Sequence, residues 1–319
     1  MNEFEIINHF FTKDAHPRTD VIQGIGDDAA VVKVLPDHEL VITTDTLIAG
    51  THFPETTSAF DVGHKSLAVN LSDLAAMGAT PAWVTLAISL PKEDTAWLEQ
   101  FCQGFFSLAK QYDVRLIGGD LTHGPLTMTI TAMGLTPSHT AILRSQAKPG
   151  DLIYVTGTLG DAGLALAFLQ KKMLLESMEA QAVLVRLNRP EPRVACGEQL
   201  RQIANAAIDI SDGLIADLGH LLQQSHVGAR VNVNRLPLSS ILQRLPSLQA
   251  IELALTAGDD YELCFTVPPE NCSKLEAALA PLGCAFTCIG EIIAQPGLTL
   301  HDNEGNTYYA LATEGYQHF

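Results

Sequence analysis

The sequence predicts an α/β protein of the α+β type that is divided into two domains. Its 319 residues are enough for about two domains of ordinary size. Strand-like and helix-like segments alternate through the first half, as expected where helices cover a sheet. A turn-rich stretch at residues 147–151, with Pro149 and Gly150 in it, separates the halves. We therefore expect an N-terminal domain with a mixed sheet at residues 1–146 and a C-terminal α/β domain at residues 147–319.

The elements of the first domain follow from hydrophobic periodicity and from residues that begin or end helices. Residues 61–77 are rich in Ala and Leu, with Asp61 able to cap the start and Gly78 suited to the end. Residues 93–112 carry an apolar stripe, and residues 126–135 alternate Met and Ile with Thr, which suits a half-exposed strand. The predicted helices are 3–11, 61–77 and 93–112, and the predicted strands are 29–32, 40–44, 82–90, 114–117 and 126–135.

The second domain also mixes strands with helices. A strand at 152–155 leads into a glycine-rich loop at 156–163 that opens a helix. Pro190 and Pro192 precede a helix that runs through Cys196 and Ile203. The further predicted elements are a strand-to-helix transition at 207–214, a helix at 214–224, a strand at 263–267, a helix at 273–282 and short strands around Phe286 and Leu298.

The chain is acidic, with 36 Asp and Glu against 19 Lys and Arg and a net charge of −17. This charge argues against a nucleic-acid partner, which requires a basic face, and against anionic membranes. No apolar run approaches the ~20 residues of a membrane span. The six cysteines show no zinc spacing, and the start of the chain lacks the basic region of a signal peptide. We therefore expect a cytoplasmic protein with buried free thiols.

Six aspartates lie where a carboxylate is costly unless it meets a cation. Most follow glycines or end a predicted strand, which is where α/β folds build sites. Asp73 lies in an apolar helix on one face with Ser66 and Asn70, and its burial without a partner would cost several kcal/mol. The six are Asp28, Asp45, Asp73, Asp120, Asp209 and Asp212.

Carboxylate oxygens favour Mg²⁺ over zinc. A carboxylate and a phosphate about 4 Å apart repel each other by on the order of 4 kcal/mol at an effective dielectric near 20. Binding of ATP would therefore require several bridging magnesium ions. Neither the G-x-G-x-x-G pattern nor the P-loop pattern is present. An ordinary Asp-rich surface turn remains the alternative for residues 24–30.

Six short motifs follow one another in a specific order along the chain. They are Gly24-Ile25-Gly26-Asp27-Asp28-Ala29-Ala30, Thr43-Thr44-Asp45, Asn70-Leu71-Ser72-Asp73-Leu74-Ala75-Ala76-Met77-Gly78, Gly118-Gly119-Asp120, Ile210-Ser211-Asp212-Gly213-Leu214 and Asp260-Tyr261-Glu262-Leu263. Together they resemble the thiamine-monophosphate kinase family, which belongs to the aminoimidazole ribonucleotide synthetase-like superfamily of ATP-binding enzymes. The resemblance runs from about residue 3 to Gly315-Tyr316, nearly the whole chain.

The resemblance implies direct, in-line transfer of the γ-phosphoryl group from ATP to thiamine monophosphate. The products are thiamine diphosphate and ADP, and the reaction is the last step of thiamine diphosphate biosynthesis. Several Mg²⁺ ions and ATP as co-substrate are implied, as is a homodimer formed through the first domain. No dedicated catalytic base is expected, because the acceptor is itself a phosphate oxygen that is largely ionised at neutral pH.

The family's site residues carry over to matching positions of this chain. The implied metal ligands are Asp28, Thr43, Thr44, Asp45, Asp73, Asp120, Asp209 and Asp212. The implied ATP contacts are Gly119, Asp120, Arg144 and Ser211. The implied contacts of thiamine monophosphate are His52, Asp259 and Tyr316. Threonine can contribute through its hydroxyl or its backbone carbonyl.

The chain departs from the family pattern at two positions. Asp259 stands where the family has Glu, which shortens the reach to substrate by one methylene, and Leu121 stands where Thr is common. Alternatives also remain for single residues. Asp27 reads as a turn former rather than a ligand, Arg144 as a solvated side chain, His52 as part of its loop and Tyr316 as an anchor of the C-terminus.

Three other functions are compatible with parts of this pattern. Another ATP-using enzyme of the superfamily is one, although a selenophosphate synthase would need a reactive Cys near the start and the first cysteine is Cys102. A protein that binds metal or nucleotide without turnover is the second. A two-metal phosphatase, which would release inorganic phosphate without ADP, is the third.

Overall fold

In the computed structural model, residues 2–12 and 17–309 are described, and the chain divides into two compact units. The N-terminal unit comprises Met1–Leu74 and Ala79–His139, and the C-terminal unit comprises Ala75–Gly78 and Thr140–Phe319. The division predicted after residue 146 lies a few residues beyond this one.

The N-terminal unit is built on a four-stranded sheet. Its elements are α1 (Glu3–Ile6), a π-helical segment (Ile7–Thr12), β1 (Val21–Gln23), β2 (Val31–Val32), β3 (His38–Ile48), α2 (Ala59–Ala76), β4 (Thr80–Leu90), α3 (Thr95–Gln111), β5 (Arg115–His123) and β6 (Thr127–Pro137). The strand order is β3-β6-β4-β5. Strand β6 is antiparallel to both neighbours, whereas β4 and β5 are parallel, which confirms the predicted mixed sheet.

Two glycines let α2 and α3 pack at close range. A Cβ on Gly63 would lie 2.1 Å from the carbonyl oxygen of Phe101, and a Cβ on Gly104 would lie 2.0 Å from that of Phe60. No side chain can occupy either position at this separation. The two helices therefore meet backbone to backbone on one layer of the unit.

Two strands continue beyond their predicted ends. Strand β3 runs to Ile48 and β5 to His123, so Asp45 and Asp120 lie inside strands and the prediction that they end strands was wrong. The Thr and Leu residues after Asp45 keep pairing with β6. Gly119 permits close pairing rather than a turn, because a Cβ there would lie 1.9 Å from the carbonyl oxygen of Leu86.

The helix starts also differ from prediction. Ser58 rather than Asp61 caps α2, since the Ser58 hydroxyl accepts the Asp61 amide at 3.2 Å and donates to its carboxylate at 2.8 Å. The first predicted helix is α-helical only over Glu3–Ile6 and continues as the π-helical segment.

The C-terminal unit is built on a seven-stranded sheet. Its elements are β7 (Leu152–Thr156), α4 (Asp161–Leu169), α5 (Ser177–Asn188), α6 (Val194–Leu200), β8 (Ala206–Asp209), α7 (Leu214–Ser225), β9 (Gly228–Asn232), α8 (Ser247–Thr256), β10 (Leu263–Val267), α9 (Cys272–Leu279), β11 (Phe286–Ile293), β12 (Gly297–His301) and β13 (Thr307–Tyr308), with short 3-10 turns between them. The strand order is β13-β12-β9-β11-β7-β10-β8, so β10 lies between β7 and β8. The main core lies between this sheet and α7, around Ile153, Val155 and Leu218.

Sequence patterns missed α5, α8 and β9. Helix α5 is capped by Glu176 in a reciprocal capping box with Glu179, and Glu is not a usual cap residue. Helix α6 ends at Leu200, before the predicted Ile203, and α9 gives way to a 3-10 turn at Ala280–Leu282.

None of the helices in the described part of the chain combines the length and the apolarity that crossing a bilayer requires. All six cysteines are free thiols; Cys102, Cys196 and Cys264 are buried, and the other three are half-buried.

Candidate active site

A cavity of about 780 Å³ in the N-terminal unit brings two of the glycine motifs together. Its lining includes Phe4, Ile7 and Phe11 of the first helical segment. The turn at residues 24–30 and residues 116–121 of β5 also line it. The cavity lining therefore combines apolar side chains with the acidic residues Asp28 and Asp120.

The two aspartates of the turn have different surroundings. The Asp27 carboxylate accepts the backbone amide of the next residue, Asp28, at 2.9 Å, so it is engaged within the turn. Asp28 is exposed and lines the cavity. Asp27 therefore has a local contact within the turn, whereas Asp28 is an exposed residue of the cavity lining.

A second cluster lies where β3 meets α2. The Thr43 hydroxyl donates to the Asp73 carboxylate at 2.5 Å, and the Asp45 amide donates to the Asn70 side chain at 3.1 Å. Asn70 is fully buried and also donates to the carbonyl of Ser66, so it links the strand to the helix. Thr43 and Asp45 share one face of β3 because side chains alternate along a strand.

Thr44 lies on the opposite face of β3. Its hydroxyl pairs with that of Thr131 at 2.9 Å, and two residues on, the Thr46 hydroxyl pairs with that of Thr129 at 2.9 Å. The sequence could not separate Thr43 from Thr44. The structure directs only the first of these hydroxyls to Asp73.

Asp45 and Asp120 lie on opposite edges of the four-stranded sheet. Asp45 aligns with Ile130, Ile130 with Leu86, and Leu86 with Gly119, next to Asp120. Three strand spacings of about 4.8 Å separate β3 from β5 by about 14 Å along the sheet. A single copy of the sheet therefore does not bring these two carboxylates to one ion.

His52 follows β3 and is held by its ring. The Ile48 backbone amide donates to His52 Nδ1 at 3.0 Å. Because Nδ1 accepts this bond, the neutral imidazole carries its proton on Nε2.

The predicted site of the C-terminal unit is a loop between β8 and α7 that packs on the segment before β10. The amide of Asp259 donates to the carbonyl of Ser211, and that of Tyr261 to the carbonyl of Ile210, each at 2.8 Å. Asp259 and Tyr261 adopt the left-handed backbone conformation, with φ of 67° and 48°. Such angles cost of order 1–3 kcal/mol for residues other than Gly and cluster at functional sites.

Glycines allow the two loops to meet. A Cβ on Gly258 would lie 2.4 Å from the carbonyl oxygen of Ser211, and one on Gly213 would lie 2.8 Å from the backbone of Thr256. Gly213 also has a φ of 113°, which other residues rarely adopt. Gly213 and Gly258 are therefore required by the packing of one loop on the other.

Asp217 is a residue of this region that the sequence reasoning missed. One of its carboxylate oxygens, Oδ2, accepts the backbone amides of Ser211 and Asp212 at 3.0 Å and that of Gly213 at 3.2 Å. Burial raises the pKa of Asp217 to about 7, and the Asp212 carboxylate acts in the same direction, while these amides and Arg144 favour the charged form. An Asp four residues into the helix after Ser-Asp-Gly is the only signal in the sequence.

Two buried acids follow Asp259 and hold a different loop. The Asp260 carboxylate accepts the amide of Gly160 at 2.8 Å, and burial raises the pKa of Asp260 well above its usual value. Glu262 accepts the Thr156 hydroxyl at 2.7 Å. It also pairs with Arg186 at 2.6 Å and with Arg193 Nε at 2.7 Å.

The remaining predicted site residues are Asp209, Arg144 and Tyr316. Asp209 ends β8 and is buried, opposite Leu263. Arg144 begins a 3-10 turn, and its carbonyl accepts the Ser225 hydroxyl at 2.6 Å. Tyr316 lies outside the described residues. Across residues 2–12 and 17–309, no three His, Cys, Asp or Glu side chains are grouped so that they alone could hold a metal ion.

Comparisons with known proteins identify the family of this chain. The family described as AIR synthase related protein matches with its N-terminal domain at residues 26–136 and with its C-terminal domain at residues 148–303. The thiamine-monophosphate kinase of Escherichia coli strain K12 is 49% identical over 99% of this chain and 98% of its own length.

Solved structures give the same result. The crystal structure of thiamine-monophosphate kinase from Stenotrophomonas maltophilia K279a has a TM-score of 0.88 and 45% identity, over 97% of this chain and 98% of that chain. The structure of AaThiL complexed with AMPPCP and TMP has a TM-score of 0.79 and 31% identity, over 92% of each chain. These matches span both units and every sequence motif in the described residues. The chain belongs to the thiamine-monophosphate kinase family, within the AIR synthase related proteins.

Proposed function

We propose that this chain transfers the γ-phosphoryl group of ATP in line to thiamine monophosphate, which yields thiamine diphosphate and ADP. The observation that carries the proposal is similarity over the whole chain to thiamine-monophosphate kinases, with a 31% identical relative solved with AMPPCP and TMP. The attacking atom is a phosphate oxygen that is ionised at neutral pH, so the reaction does not need a strong general base. The enzyme would work in the cytoplasm, where its co-substrate ATP is abundant.

Several Mg²⁺ ions are the proposed cofactors. The Thr43 hydroxyl and the Asp45 and Asp73 carboxylates supply the hard oxygen donors that Mg²⁺ prefers. Mg²⁺ usually takes one or two carboxylates and completes its shell with phosphate and water oxygens. When bound, such ions neutralise phosphate charge and align the transfer. The proposed ligands are Asp28, Thr43, Thr44, Asp45, Asp73, Asp120, Asp209 and Asp212.

The cavity in the N-terminal unit supports ATP binding. Its volume of about 780 Å³ lies within the ordinary range of small-molecule sites. The apolar lining residues suit the base, and Asp120 and the backbone at Gly119 suit a metal-bound phosphate chain. Arg144 and Ser211 are the proposed ATP contacts of the C-terminal unit.

Thiamine monophosphate is proposed to contact His52, Asp259 and Tyr316. His52 would donate from Nε2, since its Nδ1 is already occupied. The Asp259 carboxylate accepts the Tyr261 hydroxyl at 3.2 Å, which restrains the side chain.

Replacement of Asp259 by Ala should raise the KM for thiamine monophosphate about 10-fold and change the KM for ATP less than about 2-fold, because a lost contact to one substrate is worth roughly 1–2 kcal/mol. Steady-state kinetics with each substrate varied in turn would measure both constants. Equal rises in the two KM values would remove Asp259 from the thiamine monophosphate site.

We also propose that the enzyme is a homodimer formed through the four-stranded sheet. The face opposite α2 exposes apolar side chains of β3, with Ile42 at 58% and Leu40 at 40% relative exposure. Among residues 2–12 and 17–309, no further strand pairs with the outer side of β3 or of β5 in one copy. A second copy whose β5 edge lies against β3 would bring Asp120 to Asp45.

The proposed reaction is tested directly with purified protein, ATP, Mg²⁺ and thiamine monophosphate. Chromatography should show thiamine diphosphate and ADP in equal amounts, and EDTA in excess of Mg²⁺ should abolish both, because the phosphates then face the carboxylates without a cation. ADP without thiamine diphosphate would contradict the choice of acceptor. Release of inorganic phosphate from thiamine monophosphate without ADP would indicate a phosphatase instead.

A further inference from the structure

The loop that carries Ser211 and Asp212 is held from beneath by a single buried carboxylate. Asp217 is 3% exposed, whereas Ser211 and Asp212 are half-buried. The three amides of residues 211–213 converge on Asp217 Oδ2 at 3.0, 3.0 and 3.2 Å. Consecutive amides that converge on one anion form a concave backbone nest, and here the anion belongs to the protein itself.

This arrangement differs from an ordinary helix cap. A capping side chain precedes the helix and satisfies amides of its first turn. Asp217 lies inside α7 and reaches backward, to two amides that precede the helix and to that of the N-cap residue Gly213. Its own amide donates to the carbonyl of Gly213 at 3.0 Å. The side chain therefore shapes the loop before the helix.

The other side of the same loop is fixed by its carbonyls. The carbonyl of Ser211 accepts the amide of Asp259, and that of Ile210 accepts the amide of Tyr261, each at 2.8 Å. With amides bound on one side and carbonyls on the other, the peptide planes of residues 210–213 have little freedom to rotate. The side-chain directions of Ser211 and Asp212 follow from these planes.

We propose that Asp217 is a positioning residue for phosphoryl transfer, which holds Ser211 and Asp212 in the orientation that binds ATP and Mg²⁺. This inference rests on the roles of Ser211 and Asp212 in the proposed function. The proposed function assigns Asp217 itself no contact with substrate or metal, and its carboxylate is buried beneath the loop. Without the Asp217 carboxylate the loop could rotate, and we expect weaker binding of the metal–nucleotide complex as the main effect.

The test compares Asp217→Ala, which removes the acceptor, with Asp217→Asn, which keeps an oxygen able to accept the same amides. Asp217→Ala should raise the KM for ATP and the Mg²⁺ concentration for half-maximal rate at least about 10-fold, with the KM for thiamine monophosphate changed less than about 3-fold. Asp217→Asn should stay within about 3-fold of wild type in all three. Circular dichroism would check that each variant is folded.

Asp217→Glu serves as the second variant if the Ala variant does not fold. It keeps the charge but displaces the oxygen by one methylene, and it should raise the KM for ATP at least about 5-fold. The inference is overturned if folded Asp217→Ala or Asp217→Glu keeps the wild-type KM for ATP and the wild-type Mg²⁺ concentration for half-maximal rate. It is also overturned if Asp217→Asn raises these two values as much as Asp217→Ala does. Asp212→Asn is measured in parallel: if that variant is fully active, the proposed site has failed, and if it is inactive while Asp217→Ala behaves as wild type, only this inference has failed.

Discussion

Subunits with Asp45→Asn, mixed with an equal amount of subunits with Asp120→Asn, should recover about one quarter of the wild-type kinase activity, given a symmetric dimer with shared sites. Each variant alone should lose at least about 100-fold in kcat, as expected when a charged group that stabilises the transition state is removed. The expected recovery rests on the proposed homodimer, in which the β5 edge of one copy lies against β3 of the other; within one copy these strands are opposite edges of the sheet.

The factor of one quarter comes from counting sites. Random exchange makes half of the dimers mixed. In a mixed dimer, one shared site carries both substitutions and the other carries neither. The variants would be unfolded together, refolded as a mixture and assayed against each variant treated alone.

A site built within one chain predicts a different result. Every site of a mixed dimer would then carry one substitution, and activity would stay at the level of the separate variants. Light scattering on the wild-type protein should give the mass of two 34.3-kDa chains. A single-chain mass, or no recovery on mixing, would contradict the shared site.

Replacement of Glu262 by Gln should lower the free energy of unfolding of the C-terminal unit by about 3–5 kcal/mol, the usual cost of breaking a buried ion pair from one side. Glu262 is fully buried and is bound by Arg186, Arg193 and the Thr156 hydroxyl. Gln removes the charge, and its N–H₂ group would face the N–H and O–H groups that now donate to the Glu262 carboxylate. Two guanidinium groups are then left without their buried counter-ion.

Glu291→Gln is the matched control. Glu291 pairs with Arg230 at 3.1 Å on the surface, with side-chain exposures of 47% and 55%, so its loss should cost less than about 1 kcal/mol. Both tryptophans, Trp83 and Trp97, belong to the N-terminal unit. Urea unfolding followed by far-ultraviolet circular dichroism reports on the whole chain, and tryptophan fluorescence reports on the N-terminal unit. Equal effects of the two substitutions would contradict the role assigned to Glu262.

Local chemistry in the sequence predicted much of this molecule. Glycine beside Asp marked the turn at residues 24–30 and the loop at residues 211–213, because tight turns and close approaches leave a direct signature. Helices α2, α3 and α7 and the apolar strands β4, β7 and β10 were found from hydrophobic periodicity and from residues that begin or end helices. The limits of β3 and β5 were missed because the Asp and Gly residues within them are poor strand formers that tertiary pairing tolerates.

Other features depend on contacts between distant segments. The face to which Thr44 points and the separation of Asp45 from Asp120 depend on strand register and strand order, which no local pattern contains. Asp217 lies in the first turn of a helix, where acids are ordinary. Only the fold reveals that its carboxylate turns back to the loop.

Alternate residues of the segment from Asp259 to Glu262 bind two different parts of the C-terminal unit. The backbone amides of Asp259 and Tyr261 hold the loop after β8, while the side chains of Asp260 and Glu262 hold the loop after β7. An insertion or deletion of one residue here would exchange the residues that bond through their backbone with those that bond through their side chains. The length of this stretch is therefore fixed, and it should accept substitutions far more readily than insertions or deletions. The Glu-to-Asp departure at residue 259 obeys this rule, because the bond to Ser211 comes from the backbone amide of that residue and does not depend on its side chain, except that Pro has no amide hydrogen to donate.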